Sequence, residues 1–62
     1  MVAGRLLLRV LVVDDDFRVA AIHADALSSV AGIAVVGRAT TLAQARQVLD
    51  TRPVDLVVAD EY

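Results

Sequence analysis

The stretch Arg9-Val10-Leu11-Val12-Val13-Asp14-Asp15-Asp16 constrains this chain more than any other. Four consecutive apolar residues, three of them valine, run straight into three consecutive carboxylates. A strand with one wet face alternates apolar and polar side chains. A strand apolar on successive residues is covered on both faces, as in a parallel sheet flanked by helices. The acids stand at its carboxyl end, where open α/β sheets bind their ligands. Three like charges so close repel one another unless a cation sits among them. The stretch therefore predicts a divalent metal site at the tip of a central strand.

The rest of the chain supplies the partners of that strand. Residues 1–4 read as a loose leader and Leu7 to Val13 as the first strand. Asp16 is placed to cap a helix, since its side chain can accept from free backbone N–H groups. The helix is expected from Phe17 to Val30, with Val19, Ile22, Ala26, Leu27 and Val30 as its apolar stripe and Gly32 as its stop. Ile33 to Val36 predicts a second strand, with Gly37 and Arg38 leading out. Thr41 and Gln44 fit a capping box at the start of a helix over Leu42 to Asp50. Its inward face is expected to carry Leu42, Ala45, Val48 and Leu49. Pro53 cannot continue a helix comfortably, and Val54 to Ala59 predicts a third strand ending in Asp60 and Glu61.

The order is β-α-β-α-β. Alternation of this kind implies parallel strands joined by right-handed crossovers. With the most apolar strand central, the expected fold is a doubly wound parallel sheet in the order 2-1-3, with one helix on each face. The strand order then reverses between strands one and three, opening a crevice there. Asp14 and Asp15 reach it from one strand and Asp60 from the neighbour. Strands lie about 4.8 Å apart, so these carboxylates can share one ion. An all-oxygen set of this kind favours Mg²⁺ or Mn²⁺. A carboxylate facing such an ion can act as a nucleophile toward phosphorus.

Composition removes several function classes. Sixty-two residues make one domain at most, and a chain so short buries only about 60% of its unfolded surface and is marginal alone. The net charge of −2 leaves no basic footprint for nucleic acid or an anionic membrane. The absence of cysteine excludes disulfide and thiol chemistry. Arg9 interrupts the only run resembling a signal peptide, and no stretch approaches the ~20 apolar residues of a membrane span. The chain is read as cytoplasmic, with no membrane partner.

Leu-Val-Val-Asp14-Asp15-Asp16, Thr41 through Leu49, and Pro53-Val-Asp-Leu-Val-Val-Ala-Asp60 together resemble the receiver domain of bacterial two-component response regulators, a flavodoxin-like fold. Asp15-Asp-Phe-Arg-Val-Ala-Ala-Ile-His-Ala-Asp and the ending Asp60-Glu-Tyr62 further resemble the subgroup responding to citrate and C4-dicarboxylates. The resemblance covers residues 1–62 and corresponds to the amino-terminal half of a receiver, strands one to three and helices one and two. It implies that Asp60 is the phosphoacceptor and that Asp15 binds Mg²⁺ directly. Asp14 assists through water, and the backbone carbonyl of Tyr62 completes the ion's shell. It implies a sensor histidine kinase as partner, and DNA only through an output domain, commonly a helix-turn-helix. The later strands, with the Ser/Thr, Lys and switch aromatic that receivers carry there, have no counterpart in the chain. Strand three is then a bare edge through Leu56, Val57 and Val58, open to a homodimer or a strand-swapped assembly.

Other readings stand beside this one. Asp14, Asp15 and Asp60 can be read as solvated strand-end acids, Asp25, Asp50 and Asp55 as surface or capping residues, and Glu61 as a loop acid. Arg18 reads better as a surface residue than as part of the crevice, and His23 as a half-buried packing residue. A non-catalytic receiver-like fragment that dimerises is the main alternative. A haloacid-dehalogenase-type phosphatase also ends a strand in Asp-x-Asp, but Arg18 stands where it wants Thr or Val. A dinucleotide enzyme lacks its Gly-x-Gly-x-x-Gly.

Overall fold

The computed structural model describes residues 7–59. The elements are β1 (Leu8–Val13), α1 (Phe17–Ser28), β2 (Ile33–Ala39), α2 (Leu42–Thr51) and β3 (Leu56–Ala59). All strand pairs are parallel, in the order β2-β1-β3. This is the expected doubly wound α/β sheet with its most apolar strand in the middle.

Side chains of β1 alternate between two cores. Val10 and Val12 point to the α1 side, where they meet Ala20 and Ala24, with Leu27, Ile33, Val35 and Val58 around them. Leu11 points to the α2 side and meets Ala39 and Ala45, flanked by Val13, Val48 and Val54. Val10, Leu11 and Val12 have no solvent exposure, and each contributes about 1.5–3 kcal/mol by burial. The helices therefore cover opposite faces, which explains why β1 carries no polar alternation.

β2 serves both faces by a different device. The pairing runs Val10↔Val35 and then Leu11↔Gly37, so Val36 is an extra residue. A one-residue bulge reverses the side-chain parity of a strand. Ile33 and Val35 thus pack on the α1 side while Ala39 packs on the α2 side. A guanidinium N–H of Arg52, the C-cap residue of α2, donates to the Val36 carbonyl. The helix end is tied to the bulge.

Gly37 sits where α2 crosses β2. A Cβ there would lie 3.1 and 3.3 Å from the Val48 methyls and 3.4 Å from Leu11 Cδ1. A larger side chain must push α2 outward. Gly37→Val is expected to cost about 1–3 kcal/mol by overpacking, Gly37→Ala much less, and adding Val48→Ala should recover part of the loss in urea melts.

Several boundaries and faces differ from the sequence reading. β1 begins at Leu8 and β3 at Leu56, while β2 continues through Gly37 and Arg38 to Ala39. α1 ends at Ser28, two residues early, because the Ser29 hydroxyl donates to the Ala26 carbonyl at 2.8 Å and closes the last turn. Gly32 stops no helix directly. It is the third residue of a turn closed by Ile33 N–H to Val30 O, at φ +88°, where a residue without Cβ is favoured.

The buried stripe of α1 is Ala20 and Ala24 with Leu27 beside them, whereas Ile22 is 64% exposed and Ala26 and Val30 also face outward. On α2, Ala45 and Val48 face the sheet, while Leu42, 83% exposed, and Leu49 point away. Alanines hold the most deeply buried helical positions, with Leu27 and Val48 packed beside them. The capping box is also shifted. Thr41 Oγ1 accepts from Gln44 N at 3.1 Å, but Gln44 Oε1 reaches back to Thr40 N at 2.8 Å, one residue earlier than the pattern implies.

The amino ends of β1 and β3 are clamped by Arg9 and Asp55. Arg9 Nε and Nη2 donate to the two carboxylate oxygens at 3.0 and 3.2 Å, and Arg9 N donates at 2.8 Å. Asp55 N returns a bond to Arg9 O. These bonds hold the Asp55 carboxyl below the usual carboxylate range. A depressed folded-state pKa stabilises above the unfolded value of about 3.9 and stops doing so as pH falls through the folded one. Thermal melts should therefore weaken on the acid side of about pH 4, and Asp55→Asn should flatten that dependence.

Candidate functional site

The carboxyl end of the sheet is built by register. Val13 pairs with Ala39 on one side and with Ala59 on the other, so all three strands finish at one level. Asp14 N donates to Ala39 O at 3.0 Å, which carries the chain one residue beyond β1 before it turns. Asp14 is therefore drawn into the sheet edge and is only 2% exposed.

Its carboxylate is half satisfied. Oδ1 accepts from Asp16 N at 2.9 Å, closing the tight turn into α1. Oδ2 is buried and, among the described residues, accepts from nothing. Leaving one oxygen of a buried carboxylate without a donor costs about 1–3 kcal/mol or more. Folded proteins rarely tolerate that without a ligand in view.

Asp15 and Asp16 take different roles. Asp15 is exposed and lines an open depression with Asp16, Phe17 and Arg18. Asp16 is the N-cap of α1 and accepts from Arg18 N at 2.9 Å, with Arg18 Nε at 3.5 Å from the same oxygen. Those bonds, the backbone one first, lower its carboxyl below the ordinary range. Of the two roles the sequence allowed Asp16, cap or metal ligand, the structure shows the cap, and Asp14 and Asp15 have no part in it.

A hard divalent cation suits what is left. The orphaned Asp14 oxygen and the exposed Asp15 carboxylate supply oxygen donors and negative charge, the preference of Mg²⁺ or Mn²⁺. Among the described residues no third carboxylate, histidine or cysteine completes a set of three. The other two predicted contributors, Asp60 and the Tyr62 carbonyl, lie outside the described residues, as does Glu61.

The other candidates separate cleanly. Asp55 belongs to the clamp at the opposite end of the strands, and Asp25 and Asp50 are exposed on the helices. His23 is half-buried on α1. Arg18 is exposed, as expected of a surface residue, and borders the depression beside Asp15. No family model, curated protein or solved structure matches the chain. Among the described residues no helix is long and apolar enough to cross a membrane.

Proposed function

We propose that residues 1–62 form the amino-terminal part of a two-component receiver domain in which Asp60 accepts a phosphoryl group. The observation that carries this reading is the buried Asp14 with its free oxygen, at the carboxyl end of the central strand and beside the exposed Asp15. The register supports it. Val13 is opposite Ala59, the residue that precedes Asp60 in the sequence.

In this reading Asp14, Asp15, Asp60 and the Tyr62 carbonyl hold Mg²⁺ or Mn²⁺. The bound ion supplies charge neutralisation for the incoming phosphoryl group and in-line positioning. A carboxylate oxygen of Asp60 forms the new P–O bond while the P–N bond of a phosphohistidine on a sensor kinase breaks, and the imidazole leaves. The protein is at most a weak catalyst, acting in the cytoplasm. The output in this reading is transcription through a DNA-binding domain.

Incubation with Mg²⁺ and a small acyl-phosphate donor, followed by intact-mass measurement, tests this. One phosphate adduct is expected when Mg²⁺ is present with the donor, and none when Mg²⁺ is chelated beforehand or in Asp60→Asn. No adduct, or one that survives in Asp60→Asn, overturns the reading, and phosphomonoester turnover without Asp60 points to a phosphatase instead.

One observation favours a second reading, an assembly module. The β2 edge is blunted by its bulge, by Arg38 and by the Arg52 contact. β3, an edge strand among the described residues, carries only Leu-Val-Val-Ala, with Leu56 and Val57 exposed and no charge or proline to protect it. Sedimentation of the same samples discriminates. A dimer that Val57→Lys dissociates, without any phosphate adduct, supports assembly alone.

A further inference from the structure

β3 is attached to the rest of the molecule along one side. It is an edge strand among the described residues and pairs with β1 alone, from Val10↔Leu56 to Val13↔Ala59. β1 and β2 each carry fully buried side chains, whereas no residue of β3 is fully buried. Leu56 and Val57 are exposed, and Val58 is the one member of the strand that packs against a core. Stabilisation by burial scales with the apolar area removed from water, so β3 gains little of it. The conformational entropy of ordering its backbone is lost all the same.

The attachment is concentrated at the amino end. Arg9 Nε, Nη2 and backbone N all donate to the Asp55 carboxylate, and Asp55 N donates to Arg9 O. A guanidinium that engages both oxygens of a carboxylate makes bonds of the stronger, charge-assisted kind. Just upstream, the chain is fastened to other elements. Arg52 N donates to Val48 O at 2.9 Å, and its guanidinium donates to the Val36 carbonyl. A movement of β3 therefore hinges between Arg52 and Asp55, where Pro53 stands.

We infer that β3 is a strap, released from β1 as a unit while α1, α2 and the β1–β2 pair stay folded, and that the Arg9–Asp55 pair is its latch. Openings smaller than global unfolding are drawn from elements with few buried apolar contacts, and β3 meets that description. Release carries Ala59 away from Val13 and opens the sheet next to Asp14. The latch at the amino end thereby governs how open the carboxyl end is. The inference is independent of the phosphoacceptor reading.

The amides of β1 report on the strap directly. Leu8 N and Asp14 N donate toward β2, to Gly32 O and Ala39 O, while Arg9 N donates toward β3. Backbone N–H groups alternate sides along a strand, so the amides of Val10 and Val12 face β2 and those of Leu11 and Val13 face β3.

Amide hydrogen exchange, followed residue by residue by NMR in a urea series, tests the inference. Leu11 and Val13 should exchange at least about tenfold faster than Val10 and Val12. Their urea dependence should be weak, because releasing one short strand exposes little surface. Asp55→Ala should speed Leu11 and Val13 about fivefold, a figure discounted for the exposure of the ion pair. Val10 and Val12 should speed up as much, since the unfolded chain lacks the latch too. Asp55→Asn, which keeps an acceptor for Arg9 N, should fall between wild type and Asp55→Ala. Ile33→Val, across β1 from the strap, should speed Val10 and Val12 about threefold and leave Leu11 and Val13 unchanged.

If Leu11 and Val13 are as slow as Val10 and Val12 in wild type, β3 leaves only with the whole fold, and the inference is overturned before any variant is made. Unchanged rates of Leu11 and Val13 in Asp55→Ala remove the latch. Equal acceleration of all these amides in Ile33→Val removes the separate strap.

Discussion

Leu11→Ala is expected to remove about half of the chain's stability. Leu11 has no solvent exposure and is the largest side chain of the core under α2, touching the level of Ala39, Ala45 and Val48. Its truncation removes transfer energy and leaves a cavity, about 2–5 kcal/mol together. A domain of this length has about 3–9 kcal/mol in total. Gly37 opposite provides no side chain to fill the gap, and Val48 is held by the helix backbone. The thermal midpoint should fall by about 10 °C or more, read by circular dichroism, with Leu42→Ala on the same chain as a near-neutral control because Leu42 is outside the core. A shift of a degree or two for Leu11→Ala would mean that α2 does not rest on the sheet as described.

Asp14→Asn should separate stability from ligand binding. The substitution keeps an oxygen to accept from Asp16 N and removes a buried charge that has no donor on its second oxygen. It also removes repulsion with Asp15 and Asp16. In ion-free buffer the variant is expected to melt higher by several degrees, about 1 kcal/mol. Under the proposed reading the wild type gains stability with Mg²⁺ by mass action, and the variant binds the ion about 10- to 100-fold more weakly. Differential scanning calorimetry with and without Mg²⁺ reads both effects. A variant that melts lower and still responds to Mg²⁺ like wild type would show Asp14 to be a structural acid.

Leu11 lies within β1 and Asp14 directly follows its last residue, and together they illustrate how the fold is divided between packing and charge. Leu11 works because β1 is covered on both faces. Asp14 is buried because β1 is flanked on both sides, so the chain cannot leave the sheet until one residue beyond the last pair. A central strand gives its carboxyl-terminal acid less water than an edge strand would. The same circumstance raises the affinity such an acid has for a cation.

Fold class, strand order and the N-cap at Asp16 were legible in the linear chain. They follow from local rules: unbroken apolar runs mark strands covered on both faces, an acid before an amphipathic run marks a helix start, and alternation of the two implies parallel crossovers. The place of Asp14 at the carboxyl end of the central strand was legible for the same reason, since it directly follows the first apolar run. The inward faces of the helices were legible only in part. Leu27 on α1 and Ala45 and Val48 on α2 face the sheet as expected, but Ala20 and Ala24 take the buried places of α1 while Ile22, Ala26 and Val30 face outward. Hydrophobicity alone favours the bulkier residues, and which of them meet the sheet depends on both packing partners.

The bulge at Val36, the Arg52 contact that occupies its carbonyl, and the Arg9–Asp55 clamp were likewise decided by residues far apart in sequence. So was the contrast among the three acids, one buried, one exposed and one bound to the helix, which three identical letters do not distinguish. The sequence by itself determined which elements form and in what order they pair, because backbone propensity and the period of hydrophobicity are local. Only the tertiary structure decided which side chains are excluded from water and left without partners, because burial depends on what the rest of the chain places on top of them.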